Sequence, residues 1–252
     1  INDETSTSMA KGMSNLVDTV LPSEPKKDDE PPDDKDDTGG DEDKKAEEKE
    51  RALDNVDKVV DKLFEKSLEG AVGDGKKVEI TTENLSIAFE RGRAAKLQEA
   101  CIPAGKAQGG DKTEKQECMK LPDYKKYFPS SQLDGCPDWS IDVKSFKKSY
   151  NKYENKPNAQ SQNVTSPVIE YSLASVCQTL REPLEVTDTQ ERLNITFPYD
   201  ARTIEECRFW DKHEEMWSTN GCETLIDESL GVLTCSCNHL TEFAKLAKNF
   251  GQ

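Results

Sequence analysis

Nine residues near the C-terminal end, Cys235-Ser236-Cys237-Asn238-His239-Leu240-Thr241-Glu242-Phe243, hold two thiols, one of the chain's two histidines and a hydroxyl nucleophile. Two chemistries fit them. In a tight turn, an imidazole two residues before a threonine can accept the Oγ proton as general base, and the activated oxygen can attack the preceding carbonyl, that of Leu240. The peptide becomes an ester by an N-to-O acyl shift. Water then hydrolyses the ester, leaving one chain that ends at Leu240 and one that begins at Thr241. The other chemistry is metal binding, because Cys-x-Cys-x-His supplies three zinc ligands in a row. Taken alone, His-Leu-Thr is a weak signal and His239 reads as an ordinary turn histidine, so the surroundings must decide.

Those surroundings are unusual. Upstream stand Cys207-Arg208-Phe209-Trp210, then Trp217, then Gly221-Cys222. On a β-strand Cys235 and Cys237 point to the same face, so each can meet a different upstream cysteine. The order Cys, Trp, Trp, Gly-Cys, Cys-x-Cys-x-His-Leu-Thr resembles the GPCR proteolysis site (GPS). That site ends the GPCR autoproteolysis-inducing (GAIN) domain of adhesion receptors, polycystins and sperm-receptor-like proteins.

The resemblance implies an α+β fold: a small N-terminal helical subdomain, then a disulfide-bonded antiparallel β-sandwich ending in the GPS motif. It also implies bonds Cys207–Cys235 and Cys222–Cys237, with His239 as general base, Thr241 as nucleophile and Leu240 giving the scissile carbonyl. Trp210, Trp217, Gly221 and Phe243 become structural core residues. The activity is a single turnover in cis, with no trans activity, no cofactor and no metal. The implied partner is the domain's own C-terminal fragment, retained without a covalent bond as the last strand. In the family that strand is mostly apolar, and here Lys245 interrupts it, which predicts weaker retention and a slight leaning towards a polycystin-like or sperm-receptor-like parent.

An oxidising compartment suits eight cysteines, an even number, and three Asn-x-Ser/Thr sequons at Asn84, Asn163 and Asn194. Cys101, Cys118, Cys136 and Cys177 allow three pairings. Sequence does not choose among them; the shortest loops are closed by Cys101–Cys118 and Cys136–Cys177. The predicted location is the extracellular face of a plasma or ciliary membrane, with the membrane reached through a downstream region and an extracellular protein ligand or channel subunit as further partner. No charged-then-apolar leader follows Ile1, and no run approaches the roughly 20 apolar residues that span a bilayer. The chain therefore reads as a piece of a longer protein.

Charge narrows the function classes. The formal net charge is −16, and residues 28–50 alone carry thirteen Asp or Glu against four Lys. An acidic protein is repelled by nucleic acid and by anionic lipid, so neither is expected as a partner. The acidic run does not make an EF-hand: a loop started at Asp34 places Lys45 where the bidentate Glu belongs.

The elements that must position the site are read from periodicity. Residues 1–21 form a helical segment, with Met9, Met13, Leu16, Val17 and Val20 at helical spacing before Pro22. Residues 22–43 are an acidic disordered linker. Residues 44–72 hold the helix of the helical subdomain, with Leu53, Val56, Val60, Leu63 and Phe64 on one stripe. Residues 73–206 are the β-sandwich subdomain, with predicted strands at 77–82, 85–89, 168–174 and 192–197 and a long decorated loop over 103–165. Residues 207–247 are the GPS motif, with strands at 232–237 and 242–247, and residues 248–252 begin a linker towards the membrane. Two rival functions accompany the leading one. The first is a structural module whose turn never reacts, and the second is a ligand-binding ectodomain that uses the 103–165 segment.

Overall fold

The protein is seen as a computed structural model, which describes residues 12, 15, 39–68, 75–82, 84–93, 96–103, 117–121, 139–178 and 180–248. Apart from Gly12 and Asn15, the predicted helix around Met9–Leu21 lies outside the described residues, as does the acidic linker up to Thr38. One long helix, α1 (Gly39–Ser67), precedes thirteen strands. It starts five residues earlier than periodicity predicts, inside the assigned linker, because a first turn rich in Asp and Glu suits the positive end of the helix dipole. It ends at Ser67, within the predicted segment 44–72.

The strands form two antiparallel sheets. They are β1 (Lys76–Thr81), β2 (Leu85–Arg93), β3 (Glu99–Cys101), β4 (Cys118–Lys120), β5 (Ser140–Lys148), β6 (Val168–Cys177), β7 (Leu180–Leu184), β8 (Leu193–Pro198), β9 (Glu205–Asp211), β10 (Met216–Ser218), β11 (Cys222–Asp227), β12 (Val232–Cys237) and β13 (Glu242–Ala247). The larger sheet runs β1-β2-β5-β6-β13-β9-β10, with β7 beside β6; the smaller runs β11-β12-β8-β4-β3. Ile141, Val143, Ile169, Tyr171, Leu173 and Phe243 of the larger sheet pack against Leu193, Ile195, Phe197, Leu233 and Met119 of the smaller one in a single core.

On the opposite face of the larger sheet, α1 buries Leu53, Val56, Val60, Leu63 and Phe64 against Ile87, Phe89 and Phe146. Strand alternation sets this division: successive side chains of β5 point to opposite faces, so Ile141 and Val143 enter the sandwich while Phe146 meets the helix. A third cluster lies farther along that face, where Tyr153, Ala159 and Val164 cover Trp210, Trp217, Ala244 and Leu246. Each large apolar side chain so buried contributes roughly 1.5–3 kcal/mol.

The expectation of a long loop over 103–165 is corrected. Residues 104–116 and 122–138 are outside the described residues, but β4 and the nine-residue β5 fall inside that stretch, and β5 pairs with both β2 and β6 in the middle of the larger sheet. Residues 151–164 pack on β9, β10 and β13, which makes them part of the core. β5 escapes pattern reading because its helix-facing positions carry Asp142, Lys144 and Lys148, all buried. Each is charge-paired: Asp142 with Arg91 and Arg181, Lys144 with Asp61 and Glu170, and Lys148 with Asp57, Glu170 and Glu242. Three acids spaced along α1, Asp54, Asp57 and Asp61, thus meet lysines four residues apart, Lys144, Lys148 and Lys152.

Candidate active site

The His239–Thr241 turn sits where the chain leaves β12 in the smaller sheet and enters β13 in the larger. Two disulfides flank it. Cys222 faces Cys237 across the β11–β12 ladder and is bonded to it, with S–S 2.08 Å. Cys207 of β9 is bonded to Cys235 of β12 across the sandwich, with S–S 2.03 Å. The sulfurs of Cys207, Cys222 and Cys237 lie within 4.8 Å of one another, but each is spent in a disulfide and offers no thiolate to a metal. Elsewhere Cys101 is bonded to Cys118. Cys177 is disulfide-bonded as well, while Cys136 lies outside the described residues.

Gly221 makes the turn possible. Its φ of +73° is left-handed, and a Cβ there would lie 2.3 Å from Asn238 Oδ1 and 3.2 Å from His239 Nδ1. Its carbonyl accepts the Asn238 amide at 3.0 Å and an Arg192 guanidinium N–H at 2.9 Å. Asn238 Oδ1 in turn lies 2.9 Å from His239 Nδ1. An amide oxygen can only accept, so Nδ1 carries the hydrogen and Nε2 carries the basic lone pair. Nε2 is buried, with no hydrogen-bond partner among the described residues. Burial pushes the His239 pKa below its ordinary 6.5, with Asp188 and Asp211 pulling weakly the other way. Phe209 packs edge-on against the ring at 4.2 Å.

Leu240 is fixed through its amide, which donates to the Val186 carbonyl at 2.9 Å. Thr241 Oγ1 donates to the Trp210 carbonyl at 3.4 Å. No hydrogen bond joins His239 to Thr241 among the described residues, so base and nucleophile are brought to one turn but not into contact. The next residue, Glu242, is buried; Lys148 Nζ reaches its carboxylate at 2.5 Å, and the Tyr153 hydroxyl donates to it. A partly open cleft of about 730 Å³, lined by Leu240, Thr241, Glu242, Trp210 and Tyr153 among others, gives water a route to this point.

The tryptophans are core groups. Trp210 stacks on Tyr153 at 3.8 Å and meets Trp217 edge-on at 5.6 Å. Phe243 is fully buried in the sandwich. His213, the other histidine, is exposed; its ring lies 3.0 Å from the Glu214 carboxylate and its amide donates to Asp211. Of the sequons, Asn163 and Asn194 are exposed, whereas Asn84 is half-buried and its Oδ1 accepts from Ser149 Oγ at 2.7 Å.

Lys245 reverses its sequence reading. It is buried, with Nζ 2.8 Å from Glu205 and 2.7 Å from the Pro198 carbonyl. Instead of interrupting β13, it pins the strand to β8 and β9. β13 is held on both sides, by a five-residue ladder to β9 and by Glu242 and Phe243 against β6. Residues 163–166 add bonds from Thr165 N to the Lys245 carbonyl and from Ala247 N to the Asn163 carbonyl.

A family model described as GAIN subdomain B matches residues 80–249, more than half of the chain. The chain belongs to the GAIN subdomain B family. It carries a GPS as in adhesion G protein-coupled receptors, and the association of such a domain with its C-terminal strand follows from the family. Relatives include mouse Adhesion G-protein coupled receptor F1, 42% identical over 48 residues (19% of this chain, 5% of that receptor). Human Adhesion G protein-coupled receptor L4 is 35% identical over 100 residues (38% and 14%). Mouse Adhesion G protein-coupled receptor G3 is 36% identical over 69 residues (27% and 11%). These are adhesion receptors, which goes against the leaning towards a polycystin-like parent. The chain spans at most 14% of the length of these three curated relatives. The full extracellular region of zebrafish Gpr126/Adgrg6 aligns with 95% of this GAIN chain and 32% of its own, at 16% identity and a TM-score of 0.47.

Two residues of this site have no counterpart in the sequence reading: Asn238, which sets the His239 tautomer, and Glu242, which is locked beneath the turn. A side-chain amide directly before His239 was the available signal for the first. For the second it was an acid directly after Thr241, at the start of an otherwise apolar strand.

Proposed function

We propose that this is an extracellular GAIN domain of an adhesion-receptor-like membrane protein that cuts itself between Leu240 and Thr241 and keeps its last strand. The observation that carries the reading is the state of His239: neutral, with Nδ1–H engaged by Asn238 and a buried, unpartnered Nε2 two residues before the threonine. In the reaction, Thr241 turns about χ1 from the Trp210 carbonyl towards the imidazole. Nε2 takes the Oγ proton as Oγ bonds to the Leu240 carbonyl carbon. The C–N bond breaks, the proton passes to the leaving amide nitrogen, and the chain is joined by an ester. Water from the cleft attacks the ester, releasing a Leu240 carboxylate and the Thr241 hydroxyl, and leaving the amine freed by the acyl shift as the new chain start. The scissile bond is delivered covalently, so effective concentration supplies much of the acceleration and no separate substrate site is required.

The strand β13 remains as a non-covalent partner after the cut, held by its two ladders and by Lys245. An exchange of this strand, or its loss, is the event through which such a domain would signal to the membrane region.

One observation favours a second reading. Thr241 Oγ1 rests on Trp210 and not on His239, as in a structural module whose turn stays uncut. Intact mass of folded protein after incubation separates the two. Cleavage gives two fragments, lost in Thr241→Ala and His239→Ala; the structural reading gives one undiminished mass.

A further inference from the structure

Glu242 lies directly after the nucleophile, at a position where pattern alone calls for nothing but an apolar strand residue. It stands across from Glu170 on the helix-facing side of the larger sheet. Both carboxylates and that of Asp57 from α1 converge on one ammonium, Lys148, which is 1% exposed. Three acids, Glu242 buried and Asp57 and Glu170 half-buried, around a single buried lysine make an arrangement that is costly to break, because removal of one partner leaves the Lys148 charge under-compensated in the interior. Lys152 and Lys144 extend it to Asp54 and Asp61, so the whole acidic stripe of α1 is engaged.

The same carboxylate accepts from Tyr153. Tyr153 stacks on Trp210 at 3.8 Å, and the Trp210 carbonyl receives the Thr241 hydroxyl. Glu242, Tyr153, Trp210 and Thr241 therefore close a ring around the nucleophile. On the other side Leu240 is tied to Val186. The peptide between Leu240 and Thr241 is fixed at both ends, and one of those ends is anchored to the helix.

We propose that Glu242, held by Lys148 and Tyr153 and tied through Lys148 to Asp57 of α1, is a positioning residue for the Thr241 nucleophile, so that the docked helix sets the geometry of the scissile turn. The proposal rests on the self-cleavage reading above. Glu242 touches no reacting atom; it acts by holding the residue beside it. α1 is then a working part of the site, although it lies outside the matched family region of residues 80–249.

The test uses the full 252-residue chain with two readouts. In the uncleavable Thr241→Ala background, hydrogen exchange is followed at the amides of residues 240–243 for Glu242→Gln and Asp57→Asn. Val60→Ala serves as control, since it removes apolar packing from α1 while leaving intact the Asp57–Lys148–Glu242 pairs through which the helix acts on the turn. With Thr241 present, the rate of fragment appearance is measured for the same substitutions. Each charge variant should raise exchange at 240–243 and slow cleavage by about tenfold or more, the effect of losing a charge-assisted hydrogen bond. Val60→Ala, at a comparable thermal midpoint, should change neither by more than about twofold, because surface-independent core loosening is spread over the domain. Unchanged exchange in Glu242→Gln, or an equal effect from Val60→Ala, overturns the proposal. Failure of the self-cleavage reading shows separately, as an uncut mass for the unaltered chain, and the exchange measurement still decides whether Glu242 fixes the turn.

Discussion

Gly221→Ala is the substitution through which the geometry of the turn can be weighed most closely. The added Cβ would sit 2.3 Å from Asn238 Oδ1, so the Asn238 side chain must swing away. It then gives up its bond to His239 Nδ1. A left-handed backbone costs a residue with a Cβ about 1–2 kcal/mol, and the lost hydrogen bond costs about 1 kcal/mol more. The sum, roughly 2–3 kcal/mol, lowers the melting temperature of a domain of this size by about 5–10 °C. Freed from Asn238, the imidazole loses its fixed tautomer, and the loss of about 1 kcal/mol of positioning should slow cleavage by about fivefold. A double-mutant cycle isolates the contact: Asn238→Ala should cost about 1 kcal/mol in the parent and close to nothing in the Gly221→Ala background, where the bond is already gone. Thermal unfolding and fragment quantification by mass provide the assays. A Gly221→Ala protein that melts within a degree or so of the parent and cuts at the parent rate refutes the reasoning.

Three further outcomes follow from the same geometry. Cleavage should depend on His239 being neutral; because burial lowers its pKa from the ordinary 6.5, the rate should rise with pH to a midpoint below that value, and a midpoint above 6.5 contradicts the assignment. The linked stability contribution has the same sign: it is fully present above 6.5 and is lost as pH falls through the depressed value. Lys245→Met leaves Glu205 buried without its cation, at a cost of about 3–5 kcal/mol, so the cut strand should dissociate at distinctly lower urea than in the parent when followed by size-exclusion chromatography. Reductant should unfold the turn, since the Cys222–Cys237 and Cys207–Cys235 loops contribute roughly 3 kcal/mol each, whereas a zinc chelator should leave the melting curve and the cleavage rate unchanged.

What was legible in the sequence was whatever is encoded over short distances. The α+β order, the stripe of α1 and strands such as 168–174 and 232–237 announce themselves through a period of 3.6 or 2 and through turn residues. The family, too, could be read from the fixed order of Cys, Trp, Gly and His over residues 207–243. What stayed hidden depends on partners far along the chain. β5 looks too polar for a central strand because the charges that neutralise Lys144 and Lys148 arrive from α1, from β6 and from β13. Lys245 looks like a flaw in the last strand until Glu205 and the Pro198 carbonyl are placed beside it. Residues 151–164 read as loop because their apolar side chains are sparse, yet Tyr153 alone bridges Glu242 and Trp210. In each case a charged or isolated residue was read by its own character, and the fold supplied the complement.

The central claim is that the folded chain breaks its own Leu240–Thr241 bond by a reaction that requires the Thr241 hydroxyl. Incubating freshly folded protein in water enriched in heavy oxygen and measuring intact masses tests it most directly. The account predicts two fragments, one ending at Leu240 with a single heavy oxygen in its new carboxylate and one beginning with an unlabelled Thr241, and neither in Thr241→Ala. A single uncut mass from folded, disulfide-bonded protein after prolonged incubation contradicts it.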